Sequence, residues 1–176
     1  MNMRFLLTLL PLLLVAGTAW SDQVSLQPPG SAVELRSYGF GFIPFDGTFT
    51  RFHGWMRYDP TITDRCEVML QIEAASLSMS NELVRDQILS PGMMDAARFP
   101  DLAFRGTCHG KDVIGDLTMH GETHPVTLEY TRSQGTVVAV GRLRRADWGI
   151  TGSQLTGGSI IRIRVVLPDP FNAQHT

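Results

Sequence analysis

The chain is short of charge, of cysteine and, beyond its first residues, of long apolar runs. Charged residues make up 18% of its 176 positions, below the roughly 25% of an average domain, which excludes a disordered polyelectrolyte. Fifteen basic residues stand against 17 acidic ones, so there is no cationic excess of the kind that holds nucleic acid. After the N-terminal segment, no stretch approaches the roughly 20 apolar residues of a membrane-spanning helix. The signatures of nucleophilic and nucleotide chemistry are missing as well: no Gly-x-Ser-x-Gly elbow, no phosphate-binding loop and no G-x-G-x-x-G. Gly39 and Gly41 fall in a strand-like stretch with no helix after it. The two cysteines, Cys66 and Cys108, lack the C-x-x-C spacing of metal and redox motifs. No internal repeat or low-complexity linker divides the chain, which reads as one domain.

What is present begins with a leader. Met1–Arg4 carries the only early charge, Phe5–Ala16 is apolar apart from Thr8, and Ala19-Trp20-Ser21 places small residues at the −3 and −1 positions of a cut before Asp22. This is the order of a secretory signal peptide. Residues 1–21 are read as that peptide and 22–176 as the exported domain, with periplasmic localisation expected. An uncleaved anchor is the alternative; Pro11 and the small residues before Asp22 favour cleavage. Export permits a disulfide. Cys66 opens one alternating run and Cys108 closes another, so antiparallel pairing of the two runs would bring the cysteines together. Two separate buried thiols remain the other reading.

The mature chain alternates with period two, the mark of strands with one buried face. In Cys66–Ala74, Val68, Leu70 and Ile72 share a face opposite Glu67, Met69, Gln71 and Glu73. Pro125–Thr131 sets Val126, Leu128 and Tyr130 on one side, and Ser159–Leu167 sets Ile161, Ile163, Val165 and Leu167 opposite Arg162 and Arg164. Further strands are expected at Leu102–Cys108, Thr136–Leu143, Val33–Ser37, Thr48–Tyr58 and Lys111–Met119. Turn residues separate them. About eight strands without long intervening helices predict an all-β antiparallel sandwich or barrel. A short helical insertion is expected around 80–97, with Ser80 as N-cap over Asn81–Leu89. Gln27-Pro28-Pro29-Gly30 is read as the start of the fold, and Pro168–Thr176 as a loosely docked tail.

The histidines invite a metal reading, because His120 and His124 are four apart. That spacing ligates zinc on a helix; Gly121 and Pro125 argue instead for a turn with local hydrogen bonds. Glu67 and Glu73 fall on an outward strand face. The aromatic residues are more telling: Phe40, Phe42, Phe45, Phe49, Phe52 and Trp55 crowd together, and Met56, Met69, Met79, Met93 and Met94 add adaptable side chains. A barrel of about eight strands has an interior that is either filled or holds one ligand.

Five blocks then resemble, in order, those of the YceI-like family. They are Phe45-Asp46-Gly47 through Phe52-His53-Gly54 to Tyr58-Asp59-Pro60; Ile72-Glu73-Ala74-Ala75-Ser76-Leu77; Met94-Asp95-Ala96-Ala97-Arg98-Phe99-Pro100-Asp101-Leu102-Ala103-Phe104; Leu117-Thr118-Met119-His120-Gly121-Glu122-Thr123-His124-Pro125-Val126-Thr127-Leu128; and Arg145-Ala146-Asp147-Trp148-Gly149-Ile150. Arg144, Trp148, His124 and Met94 depart from the usual residues of the family's blocks, and the opening hairpin lacks a histidine often found there. The resemblance implies a lipocalin-like barrel whose apolar cavity binds an isoprenoid, quinone or similar amphipathic lipid without covalent cofactor or catalysis, with transient membrane contact.

The residues expected to line that cavity are Phe40, Phe42, Phe49, Phe52, Trp55, Met69, Met79, Met94, Phe104 and Trp148. A protein-interaction module with a filled core, supporting a membrane redox or stress system, is the alternative. A lipid-processing enzyme would need an acid–base pair inside the barrel, from Asp147, His120 or His53. The leader makes one immediate prediction: the exported protein should begin at Asp22 by intact-mass measurement, and a mature chain that keeps Met1 would refute the cleavage site.

Overall fold

The computed structural model describes residues 22–39, 42–59, 61–152 and 158–171. The leader, Phe40 and residues 172–176 lie outside the described residues, and with them the expectations for the signal peptide and the end of the tail. Eleven strands are described: β1 (Asp22–Leu26), β2 (Ala32–Gly39), β3 (Ile43–Phe49), β4 (Phe52–Asp59), β5 (Ile62–Glu73), β6 (Leu77–Met79), β7 (Asp101–His109), β8 (Asp112–Met119), β9 (Glu122–Ser133), β10 (Thr136–Arg144) and β11 (Ile160–Pro168), with one helix, α1 (Glu82–Leu89), between β6 and β7. All eleven strands form one antiparallel sheet in the order β1-β4-β5-β7-β8-β9-β10-β11-β2-β3-β6, curled through 301° into a half-barrel.

The expected all-β antiparallel architecture with a short helical insertion is observed, while the barrel of about eight strands is corrected to an eleven-stranded curled sheet, and the reason lies in two bends. β3 and β6 stand at one margin of the sheet, while β4 and β5 stand near the other. Yet only Thr50 and Arg51 separate β3 from β4, and a single 3-10 turn, Ala74–Ser76, separates β5 from β6. The pair bends side by side. Thr50 N–H donates to Ser76 O and Glu73 N–H to Arg51 O, both at 3.1 Å. Ser76 Oγ donates to Arg51 O at 3.2 Å, and Arg51 grips the Glu73 carboxylate outside. One bent hairpin thus serves both margins. With each bent strand counted once and β1 set aside as an added edge, the wall has eight strands. The expected Thr48–Tyr58 strand straddles the first bend, which alternation alone does not mark.

Inward residues pack the concave face. Glycine permits a close approach of two strands. Gly106 and Gly115 sit opposite each other on β7 and β8, and a Cβ on Gly115 would lie 2.1 Å from Arg105 O. The ring of Phe104 lies over Gly106, filling part of the volume that no side chain occupies.

Other local expectations shift by small amounts. Asn81, not Ser80, caps the helix: its side chain accepts from Val84 N–H at 3.1 Å. After α1 the insertion continues through turns at 91–94 and 96–98. β1 precedes Gln27–Gly30, so the fold starts earlier than those prolines. Pro170 and Phe171 are docked, because Tyr58 donates its hydroxyl to Pro170 O at 3.3 Å and stacks on Phe171. The short β6 edge is blunted by α1, whose Arg85 Nε donates to Leu77 O at 2.7 Å, a common protection against edge-to-edge pairing.

Cys66 and Cys108 form a disulfide between neighbouring strands, with Cα atoms 4.9 Å apart. The bridge closes a loop of 42 residues. Replacing both cysteines by alanine should cost about 2–4 kcal/mol, read as a lower urea midpoint with a steeper slope, because the unbridged unfolded chain exposes more surface. An unchanged midpoint would show that the bridge adds nothing to stability.

Candidate functional site

The concave face encloses a cavity of about 120 Å³. Its wall is almost wholly apolar and mostly aliphatic. Met119, Leu102, Leu143 and Met94 line one end; Leu70, Leu117, Phe104 and Val126 the middle; Val113, Val137, Leu167 and the Cys66–Cys108 bridge the other. Ile161, Ile163 and Val165 of β11 complete the wall beside Val33 and Leu35 of β2. Only two charged residues, Glu34 and Arg132, touch the cavity among the described residues. Glu34 turns its carboxylate outward to Arg164 at 2.7 Å. Arg132 stays at the disulfide end, its guanidinium 4.1 Å from the Phe171 ring and 5.5 Å from that of Tyr130. Tyr130 hydroxyl donates to Gly110 O at 2.9 Å.

The opposite end is sealed by two side chains of one 3-10 turn, Arg145–Trp148. Trp148 is 2% exposed and donates its indole N–H to Leu117 O at 3.1 Å. Arg145 is 5% exposed, and its guanidinium gives hydrogen bonds to Gly158 O (3.1 Å), Ile150 O (3.2 Å) and Gly152 O (2.8 Å). It also lies 3.5 Å from Met93 Sδ. One cation thereby ties the residues before β11 to the helical insertion. Hydrogen bonds from a charged donor are about twice as strong as neutral ones, which is how such a burial is tolerated.

His120 and Gly121 form the tight turn between β8 and β9, at φ +54° and +80°, and His124 stands on the first residues of β9. His120 Nδ1 lies 3.0 Å from Trp148 O, and the His124 ring meets the Trp148 ring edge-on. His124 also reaches Glu122 at 3.1 Å. Both histidines therefore brace the tryptophan. The acid–base set weighed for catalysis does not converge: His53 and Asp147 are exposed, and His120 is engaged at Trp148. Among the described residues no group of three His, Cys, Asp or Glu is arranged to hold a metal.

Of the residues expected in the wall, Phe49, Met94 and Phe104 line the cavity. Phe52 and Trp148 are buried outside it, at the first bend and in the end seal. Met79 is half-buried on β6 opposite Gly47. Trp55 and Met69 are corrected to the outer face, where they pair across β4 and β5 and Trp55 lies under the Arg57 guanidinium at 4.2 Å. The reason is register: Phe52, Met56 and Tyr58 point inward on β4, and Cys66, Val68, Leu70 and Ile72 on β5, so the odd-numbered Trp55 and Met69 point out. Phe42 is corrected too, being 75% exposed in the β2–β3 turn. Phe40 lies outside the described residues. The wall residues missed, such as Leu117, Met119, Val126 and Ile163, lay on alternating faces already legible in the sequence; weighting aromatics and methionines over alternation passed them by.

Burial raises the Tyr58 phenol above its ordinary pKa of 10.0, with Asp22 and Asp169 adding to the effect. The folded state thus holds this proton more tightly than the unfolded chain. Stability linked to it is complete below pH 10.0 and is lost as pH rises through the raised value. Tyr58→Phe should flatten the alkaline fall of the urea midpoint; an identical fall in the variant would refute this origin.

A YceI-like domain model matches residues 25–167. A UPF0312 protein of Pseudomonas putida is 33% identical over 130 residues, covering 68% of this chain and 66% of that relative. One of Pseudomonas fluorescens is 30% identical over 128 residues with the same coverage. The chain thus spans just under two thirds of these relatives' length. Among solved structures, Burkholderia cenocepacia BcnA superposes with a TM-score of 0.63 at 20% identity, over 77% of this chain and 94% of that one. A structure described as a polyisoprenoid binding domain from Saccharophagus degradans gives a TM-score of 0.58 at 13% identity, over 81% and 94% of the two chains. The Campylobacter jejuni YCEI protein gives 0.58 at 18% identity, over 67% and 80%. These structural likenesses speak for the fold; the sequence match over the greater part of the chain is what assigns the protein to the YceI-like domain family.

Proposed function

We propose that the protein sequesters or carries an amphipathic lipid of the isoprenoid or quinone type in the periplasm, without catalysing a reaction on it. The observation that carries this reading is the apolar wall, in which Arg132, at the disulfide end, is the one cation among the described residues. An apolar tail leaves water for such a wall with a gain of about 0.8 kcal/mol for each CH₂-sized group buried. A polar head group would then meet Arg132 and Tyr130. A neighbour of this fold is described as polyisoprenoid-binding, and the apolar leader supports export.

The size of the cavity narrows the ligand. About 120 Å³ falls short of the roughly 300–1,000 Å³ of drug-sized sites. The wall must either take a slender tail or yield. Met56, Met94 and Met119 are the side chains suited to yielding. The same small volume is the observation that favours the second reading, an interaction module with a filled core.

Mass spectrometry of the exported protein, native and after organic extraction, separates the two. Carriage predicts a stoichiometric apolar molecule. Ala139, which faces the cavity, allows a stricter test: Ala139→Phe should leave the fold intact by circular dichroism and abolish retention. A protein that stays empty and refuses isoprenoids, quinones and fatty amides would establish the filled-core reading. So would an Ala139→Phe variant as stable as the parent whose partner binding is unchanged and in which neither protein holds lipid.

A further inference from the structure

We propose that the outer face of β10, β11 and β2 docks on an anionic phospholipid surface. The chain has one lysine, Lys111, and fourteen arginines, and its net charge is −2. Five of those arginines nevertheless stand exposed on these three neighbouring strands: Arg142 and Arg144, Arg162 and Arg164, and Arg36. Their register is the unusual part. Arg142 lies directly opposite Arg162, and Arg162 directly opposite Arg36. Like charges facing each other across adjacent strands cost stability, and strands about 4.8 Å apart bring them close.

Carboxylates relieve only part of this charge. Asp46 takes Arg36, whose guanidinium holds the carboxyl below its usual range. Glu34 takes Arg164, and Glu129 flanks the face opposite Val140. Arg142, Arg144 and Arg162 pair with no carboxylate among the described residues; Arg162 lies over the Tyr38 ring at 5.7 Å. An uncompensated arginine row on a chain of negative net charge is complementary to an anionic partner.

The surroundings favour a lipid surface over an acidic protein. Exposed aliphatics alternate with the cations across the strands: Ile160 faces Arg144, and Val140 faces Arg164. At the same end, Phe42 and Ile43 stand out from the β2–β3 turn, 75% and 39% exposed. Gly158, just before β11, packs against Tyr38 there. Cations reach phosphates while a neighbouring aromatic enters the headgroup layer, the combination by which peripheral proteins hold a bilayer. The purpose of such docking rests on the carriage reading, but the charge pattern stands without it.

The test is flotation of the mature protein with vesicles of equal parts phosphatidylglycerol and phosphatidylcholine, against phosphatidylcholine alone, with bound lipid extracted from the same preparations. Binding to the anionic vesicles only is expected, with high salt releasing it. Each arginine near such a surface contributes about fivefold, so an Arg142→Glu/Arg162→Glu variant should lose ~25-fold or more in partitioning. Phe42→Ser should weaken binding further, and Arg105→Glu, on exposed β7, should not. Equal binding to neutral vesicles, or unchanged binding of the double variant with its fold intact, overturns the proposal. A double variant that ceases to float yet keeps its extractable lipid supports docking and carriage as separate functions. Protein that floats but never yields lipid keeps the docking surface and sinks carriage.

Discussion

The bend shared by β3–β4 and β5–β6 is the constraint on which the rest of the molecule depends. A sheet curled this far still has two margins, and margins expose backbone donors and acceptors. Here the same hairpin reaches both of them. Thr50, Arg51, Glu73 and Ser76 hold the two strands in step through the bend, so the wall is drawn round by covalent continuity rather than by a full ring of strand pairing. The enclosed space follows from that.

The interior then divides by chemistry. Aliphatic side chains make the wall, because alternation brings one face of every strand to the same dry volume. The ends use different means. Arg145 and Trp148 seal one by satisfying backbone carbonyls from a buried turn, and His120 and His124 hold that tryptophan in place. At the other, the disulfide, Tyr130, Arg132 and Phe171 gather aromatic and cationic groups. A ligand with an apolar tail and a polar head matches this polarity.

Charge is kept almost entirely outside and is unevenly shared there. On the β4–β5 side, arginines meet carboxylates: Arg51 with Glu73, and Arg57 within 4.0 Å of Glu67. On the β10–β11–β2 side, cations outnumber carboxylates. The molecule thus has an apolar inside and two electrostatically distinct outer faces, an asymmetry that net charge alone conceals.

Alternation in the sequence was enough to place β5, β7, β9, β10 and β11 and to assign Val68, Leu70, Val126, Leu128 and Ile163 to an inner face, because period two is a local property that each strand carries by itself. The two cysteines marked run ends that antiparallel pairing would join, and the motif blocks carried the family. The bends at Thr50–Arg51 and Ala74–Ser76 were not legible, since a strand that changes course keeps its alternation. Neither was the end to which Trp148 belongs, nor the exposure of Phe42. Residue type does not say which face a side chain takes: Trp55 and Met69 are as apolar as Met56 and Leu70, yet one step of register turns them outward. Thus the strands and most of their inner faces were determined locally. Curvature, the pairing of Arg142 with Arg162 and Arg36, the small enclosed volume and the burial of Trp148 were decided only by tertiary structure, because each depends on which distant strand becomes a neighbour.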